Sequence, residues 1–208
     1  MSASFREHIS GATSVTLSGQ VRVQRTPLRI AEQLTMTARG HTTELAAIVT
    51  GAAFYVESPQ VSSVWVKVPL PSVDREALLA EVRNADPTSQ TGLILAAGHA
   101  HFAGHQSVKG VVTSKYVGSI APETALAVVP SALRARLAPA VSLITGDIGY
   151  TLWVDAGNHV KQFRIAERTA SSKITLTETI DWINRPLHVG IPRLSEVRTH
   201  SNGVVSSA

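Results

Sequence analysis

The chain has 208 residues, 44% of them apolar and 16% charged. That is enough to bury one sizeable core without disulfides or metals, and it fits a single domain. Cysteine is absent, which excludes a disulfide framework, thiolate metal sites and cysteine nucleophiles. The net charge of +4, with a pI near 9.8, comes from scattered arginines and lysines with no aromatic–basic interleaving, so a nucleic-acid platform is not expected. The charge reads either as weak attraction to anionic surfaces such as lipid headgroups or as an ordinary solvated surface.

No stretch reaches the roughly 18 apolar residues of a membrane-spanning helix. The opening Ser2-Ala3-Ser4-Phe5-Arg6-Glu7-His8 lacks the apolar centre of a signal peptide. Two expectations stand side by side: a cytoplasmic protein, or a mature form behind a new start methionine.

In chain order, Ser14 to Val23 alternates with the period of a half-buried strand, with Val15, Leu17, Val21 and Val23 on one face. After a turn at Arg25-Thr26-Pro27, a second strand places Ile30, Leu34, Met36 and Ala38 inward and Arg29, Gln33, Thr35, Thr37 and Arg39 outward. Gly40 closes it. A third strand runs from about His41 to Thr50, a fourth from Ala53 to Glu57, and a fifth through Val64, Val66 and Val68. These read as consecutive hairpins whose register is set by the buried face.

The middle changes period. Ser72 or Asp74 caps a predicted helix to about Asn84, and Asp86-Pro87 opens another to about Ala97, with Leu93 and Ile94 on its buried side. Strands return at about Gly98 to Gln106 and Val111 to Ile120. Pro122 opens a helix that Pro130 must break or kink, because proline removes a backbone donor and clashes with the preceding turn. Leu126, Val129, Leu133 and Leu137 keep one face throughout. Ile148 to Asp155 is a strand, Ala156-Gly157-Asn158 a tight turn, and Val160 to Thr169 and Lys173 to Trp182 complete the set. The tail from about Arg193 reads as peripheral.

A long antiparallel meander with one polar face covers its other face by packing on a second sheet or by curling around helices. The few short helices between two strand blocks favour the second. The expected fold is α+β and β-dominated: one domain over residues 1–208, in which a single curved antiparallel sheet, a half-barrel, wraps around a few short helices. The same pattern also fits a fully packed core. If space is left inside, each buried methylene is worth about 0.8 kcal/mol, so an apolar trough holds acyl chains without special chemistry.

Several strings add a family resemblance. Phe54-Tyr55-Val56-Glu57-Ser58-Pro59 followed by Val64-Trp65-Val66-Lys67-Val68, then Gly104 to Thr113 leading to Tyr116, then Leu152-Trp153-Val154-Asp155 with Gly157 and Val160, then Asp181-Trp182 and Arg185-Pro186 through Ile191-Pro192, stand in the order found in the actinobacterial LppX/LprG lipoprotein family. The resemblance covers about residues 12 to 192. It implies a LolA-like half-barrel with helices in its concavity, a hydrophobic cavity for acylated lipids or glycolipids, and lipid transport in the cell envelope. It also implies export and a lipid anchor in the native form. The family's acylated cysteine after the leader has no counterpart in this chain, which is where the sequence departs from the pattern.

The expected cavity lining comes from inward strand positions and helix stripes: Val21, Val23, Leu34, Met36, Val49, Leu93, Leu126, Val129, Leu133, Ile148 and Leu152. The alternative at each is packing against its neighbours. No catalytic residue, metal or cofactor is expected. His99, His101 and His105 share a strand parity, but His105 lies some 13 Å from His101 at about 3.3 Å per residue, too far for one zinc. No G-x-S-x-G elbow occurs, and Asp147, Asp155 and Asp181 are not expected to form a catalytic carboxylate pair: Asp155 reads as a turn residue and Asp181 lies near a strand end. Trp65 and Trp153 alternate against the apolar face; with Trp182 they either cover the outer face or mark a rim touching membrane or partner. Expected partners are an acylated lipid or glycolipid, the membrane surface, and a membrane transporter or other envelope protein. The rival reading is a non-catalytic envelope interaction module on the same fold with its cavity closed.

Overall fold

The computed structural model describes residues 1–60, 62–69, 100–129, 131–182 and 186–199. The two helices expected between Ser72 and Ala97, and with them Leu93 and His99, lie outside the described residues, as does the side chain of Leu133.

Among the described residues twelve strands form one curved, unclosed sheet. They are β1 (Ser2–Ser10), β2 (Val15–Gln24), β3 (Arg29–Ala38), β4 (His41–Thr50), β5 (Ala53–Ser58), β6 (Ser62–Pro69), β7 (His101–Val108), β8 (Val111–Ile120), β9 (Ile148–Val154), β10 (Val160–Arg168), β11 (Lys173–Trp182) and β12 (Val197–Thr199). Their order across the sheet is β12-β6-β5-β4-β3-β2-β1-β11-β10-β9-β8-β7. Two meanders meet where β1 pairs with β11, so the first and last long strands sit at the centre. Among the described residues two helices stand between β8 and β9, α1 (Pro122–Val128) and α2 (Ser131–Val141). The first ends at Val128 and the second begins at Ser131, the break that the sequence predicts.

The hairpins close by turn chemistry. Arg39 and Gly40 (φ 51° and 78°) join β3 to β4, and Lys109 and Gly110 (φ 48° and 82°) join β7 to β8. Two successive positive φ values make the turn whose twist matches that of the flanking strands. At the β9–β10 turn, Asp155 accepts backbone N–H bonds from Gly157 and His159, both at 2.9 Å. Burial pushes its carboxyl up, but those bonds and His159 outweigh it and hold the pKa below the ordinary value. The residue serves the turn.

The structure departs from the sequence reading at three places. Ser2–Ser10 is a strand that alternation alone did not reveal, because Glu7 interrupts the apolar series Ala3, Phe5, Ile9. The tail beyond Arg193 contributes β12, which pairs with β6 and makes the one parallel pair among the described strands of an otherwise antiparallel sheet. In β7, Gly104 (φ 101°) marks an irregularity between Phe102 and His105, so His101 pairs with Val117 and His105 with Ser114, and the two histidines fall on opposite faces.

Cross-strand partners share a face, so the register sorts every strand residue. One face carries Leu152, Tyr150, Phe163, Ile180 and Ile120, which form the main buried cluster; Ala125 of α1 packs against it, and this is the helix-side face. The opposite face is mostly serine, threonine, glutamine and arginine. A second, smaller core lies there: Ala31, Ile48, Ala53 and Tyr55 are covered by Val189, with Trp65, Leu187 and Val197 around them. Arg29 donates to the Val189 carbonyl at 2.9 Å, and the Val189 N–H donates to Gln24 Oε1 at 2.8 Å, which fixes the C-terminal segment on that face.

The tip of the β7–β8 hairpin folds over the same opposite face, where Lys109 Nζ pairs with Asp181 and donates to Ser4 Oγ. Lys109 is more than half exposed. Lys109→Ala should therefore lower stability by under about 1 kcal/mol, read from a denaturant midpoint. A larger loss means that the pair, and not packing around Val108 and Thr113, holds the hairpin down.

Gly19 on β2 has a steric role. A Cβ there would stand 2.3 Å from the Gln33 carbonyl oxygen and 3.0 Å from both the Leu34 side chain and the Phe5 ring. Backbone cannot retreat cheaply. Gly19→Ala is expected to cost about 1–3 kcal/mol despite the better strand propensity of alanine, and a melting curve unchanged from the parent protein would refute the close approach.

Candidate functional site: the helix-side face of the sheet

The helix-side face is apolar in rows that cross the sheet. One row runs Phe163, Glu178, Phe5, Gly19, Leu34, Leu45 across six strands. A neighbouring row runs Tyr150, Ile165, Leu176, Glu7, Leu17, Met36. A third joins Ile180, Ala3, Val21, Glu32, Ala47 and Val56. At the β9–β11 end Tyr150, Phe163 and Ile180 are buried, while Ile165, Leu176 and Glu178 are half-buried. Toward β2–β4 many of the same rows are only half-buried, including Leu17, Leu34, Leu45 and Val21.

The sequence-predicted lining residues divide accordingly. Val21, Val23, Leu34, Met36, Val49, Ile148 and Leu152 all fall on the helix-side face by register. Leu152 is 0% exposed and locked in the core. Ile148 packs beside it, half-buried. Val21, Val23, Leu34 and Val49 are half-buried, while Met36 is 44% exposed. Leu126 and Val129, on and just after α1, are half-buried.

Sequence reasoning missed the acidic residues on this face. Glu7, Glu32, Glu167 and Glu178 are all half-buried and share the apolar parity of their strands. Burial raises the pKa of Glu178 to about 7. It also raises that of Glu32, and that of Glu167 together with the nearby Glu7 charge. Desolvation penalises the ionised form in each case. The signal was available: inward Ile30, Leu34, Met36 and Ala38 step over Glu32, which alternation puts on the same side.

Other candidates resolve structurally. Trp153 is buried on the opposite face, where its Nε1–H donates to Gln106 Oε1 at 3.0 Å and Lys115 Nζ lies 5.7 Å from the ring centroid. Trp65 belongs to the second core. Asp147 accepts from the Ser119 hydroxyl at 3.2 Å. Among the described residues no three His, Asp or Glu side chains converge as a metal site, and no helix is long and apolar enough to cross a membrane. An open hollow of about 610 Å³ at the β1–β2 and β3–β4 turns is lined by Ala12, Thr13, Ser14, Thr16, Thr37, Arg39 and Gly40, with Thr16 and Thr37 on the face away from the helices.

Architecture and face together define the class: a β-dominated protein built on one curved, unclosed sheet with short helices on its apolar side. Among solved structures, the lipoprotein LppX of Mycobacterium tuberculosis is similar over 91% of this chain and 89% of its own, with a TM-score of 0.51 at 19% identity. LprF from Mycobacterium bovis is similar over 91% and 88%, at TM-score 0.49 and 13% identity. The MucA/MucB complex of Pseudomonas aeruginosa matches 91% of this chain but 56% of that one, at TM-score 0.34 and 13% identity. The likeness to LppX is one of fold, and it is the fold that the strand strings of the sequence imply. No protein-family model matches the chain, and no curated protein does.

Proposed function

We propose that this protein is a non-catalytic lipid carrier of the bacterial cell envelope, exported and lipid-anchored in its native form, which holds the acyl chains of a lipid or glycolipid against the helix-side face. The observation that carries the reading is the set of half-buried apolar rows on β1–β5, continuous across the sheet and wider than the described helices cover. An apolar face of that width gains free energy from hydrocarbon in proportion to the area it removes from water, without specific chemistry. The membrane surface would supply and receive the ligand, with a transporter or other envelope protein as its docking partner.

Mass spectrometry of an organic extract of the purified protein tests this: a stoichiometric acylated lipid is expected. Leu34→Asp, which plants a charge in the Glu178 row, should weaken binding of a fluorescent phospholipid by about tenfold or more. A lipid-free extract with unchanged affinity in Leu34→Asp would remove the carrier reading.

A second reading, an envelope interaction module, draws on a different observation. Phe102 and Val112 are 54% and 70% exposed on the edge hairpin β7–β8. It becomes the better account if Phe102→Ser leaves lipid content intact and abolishes capture of an envelope partner.

A further inference from the structure

The four carboxylates on the helix-side face have no role in simply holding hydrocarbon. Glu178 has Phe163 of β10 and Phe5 of β1 as its register partners. Leu176 and Ile180 flank it on its own strand, and Ile180 is 1% exposed. The charged groups that face it from the packed strands are acidic too. Glu7 of β1 lies diagonal to it, opposite Leu176, and Glu167 of β10 lies further along the same face, opposite Ile174. Glu32 stands on β3 between Val21 and Ala47. From β9, Tyr150 brings a hydroxyl buried without a hydrogen-bond partner, and α1 brings Ala125. Among the described residues, no cation pairs with any of the four carboxylates and none makes a side-chain hydrogen bond.

We infer that proton uptake by Glu178 and its acidic neighbours regulates the face, which retains lipid when the carboxyls are neutral and releases it when they ionise. This rests on the lipid-carrier reading above. Acyl chains laid over the half-buried rows, which reach Glu178 through its partner Phe5, remove the water that an ionised carboxylate needs, and no cation among the described residues compensates, so occupancy and ionisation exclude each other. In the lipid-free protein burial already raises the pKa of Glu178 to about 7. Covering it drives the value higher, and the same linkage makes affinity fall as pH rises. Below about 7 the carboxyl is neutral with or without lipid, and affinity is flat. Above it, only the lipid-free state ionises, and affinity falls by up to about tenfold for each pH unit until the occupied form titrates as well.

The experiment is equilibrium binding of pyrene-labelled phosphatidylcholine, whose headgroup keeps one charge state between about pH 5 and about pH 9, to the native protein and to Glu178→Gln. The expected result is a loss of at least about tenfold for the native protein across that range and a flatter profile in the variant, which binds more tightly than the native protein at the alkaline end. Carbon-13 titration of the native protein's side-chain carboxyls provides a readout that does not depend on the variant folding; the Glu178 midpoint should move upward when the phospholipid is bound. Binding that is tight but independent of pH, or a midpoint that lipid leaves unmoved, overturns the proton-linked release while the carrier reading stands. Absence of binding at every pH overturns both.

Discussion

Leu152→Ala is expected to lower the stability of the protein by about 2–5 kcal/mol and its melting temperature by about 10 °C. Leu152 is 0% exposed at the centre of β9, with Tyr116 and Phe163 as its cross-strand partners and Ile120, Tyr150, Val160 and Ile180 in the same cluster. Truncation loses the transfer energy of the removed methyls and leaves a void that paired strands on both sides cannot close. The same reasoning separates the two ends of the helix-side face. Met36, 44% exposed on β3, should tolerate Met36→Ala at a cost under about 1 kcal/mol, because little area returns to water. Calorimetry of both variants decides whether the β9–β11 end is structural core and the β2–β4 end is open surface. Equal losses at the two positions would erase that division, and with it the reason for placing hydrocarbon over β2–β4.

Much of the fold was legible because an antiparallel sheet writes its period of two directly into the chain. His41–Thr50, Val111–Ile120 and Lys173–Trp182 have the bounds that alternation and turn residues assign them. Gly40 and Gly110 mark tight turns that need positive φ, and proline chemistry divides α1 from α2. What alternation conceals is an inward residue of the wrong polarity. Glu7 hid β1, and Glu32 and Glu178 drew no reading from the sequence; pairing places them between Val21 and Ala47, and between Phe5 and Phe163. A period also cannot anticipate its own interruption. The irregularity at Gly104 separates two histidines that parity puts together, and β12 is three residues long, too short to show a pattern. For the site, seven of the expected lining positions share one face, but sequence could not tell Leu152, sealed in the core, from Leu34, which is partly open. That difference depends on which neighbours the sheet's curvature brings over each residue.

The lipid-free protein should become less stable as pH rises from about 4.5 to about 7, and Glu178→Gln should remove most of that slope. In the unfolded chain the Glu178 carboxyl titrates at its ordinary value near 4.5; in the folded sheet burial raises it to about 7. Below the lower value both states bind the proton and the residue is neutral toward stability. Between the two values the unfolded state ionises while the folded state holds its proton, so unfolding is favoured increasingly as pH climbs. Above about 7 both are ionised and the penalty is constant. At about 1.4 kcal/mol for each pH unit of displacement, the full penalty is at most about 3.5 kcal/mol. Glu32 and Glu167, also raised by burial, add to the slope with the same sign. Urea unfolding at about pH 5 and about pH 8 measures it: the native protein should lose stability between the two, and Glu178→Gln should be the more stable protein only at the higher pH. If the two proteins lose stability in parallel, Glu178 is solvated in the folded state, and the apolar row that runs from Phe163 to Leu45 has water at its centre. A polar residue held at that position at a cost to the fold is what a proton-gated lipid face requires, and the slope of stability against pH measures that cost without any ligand present.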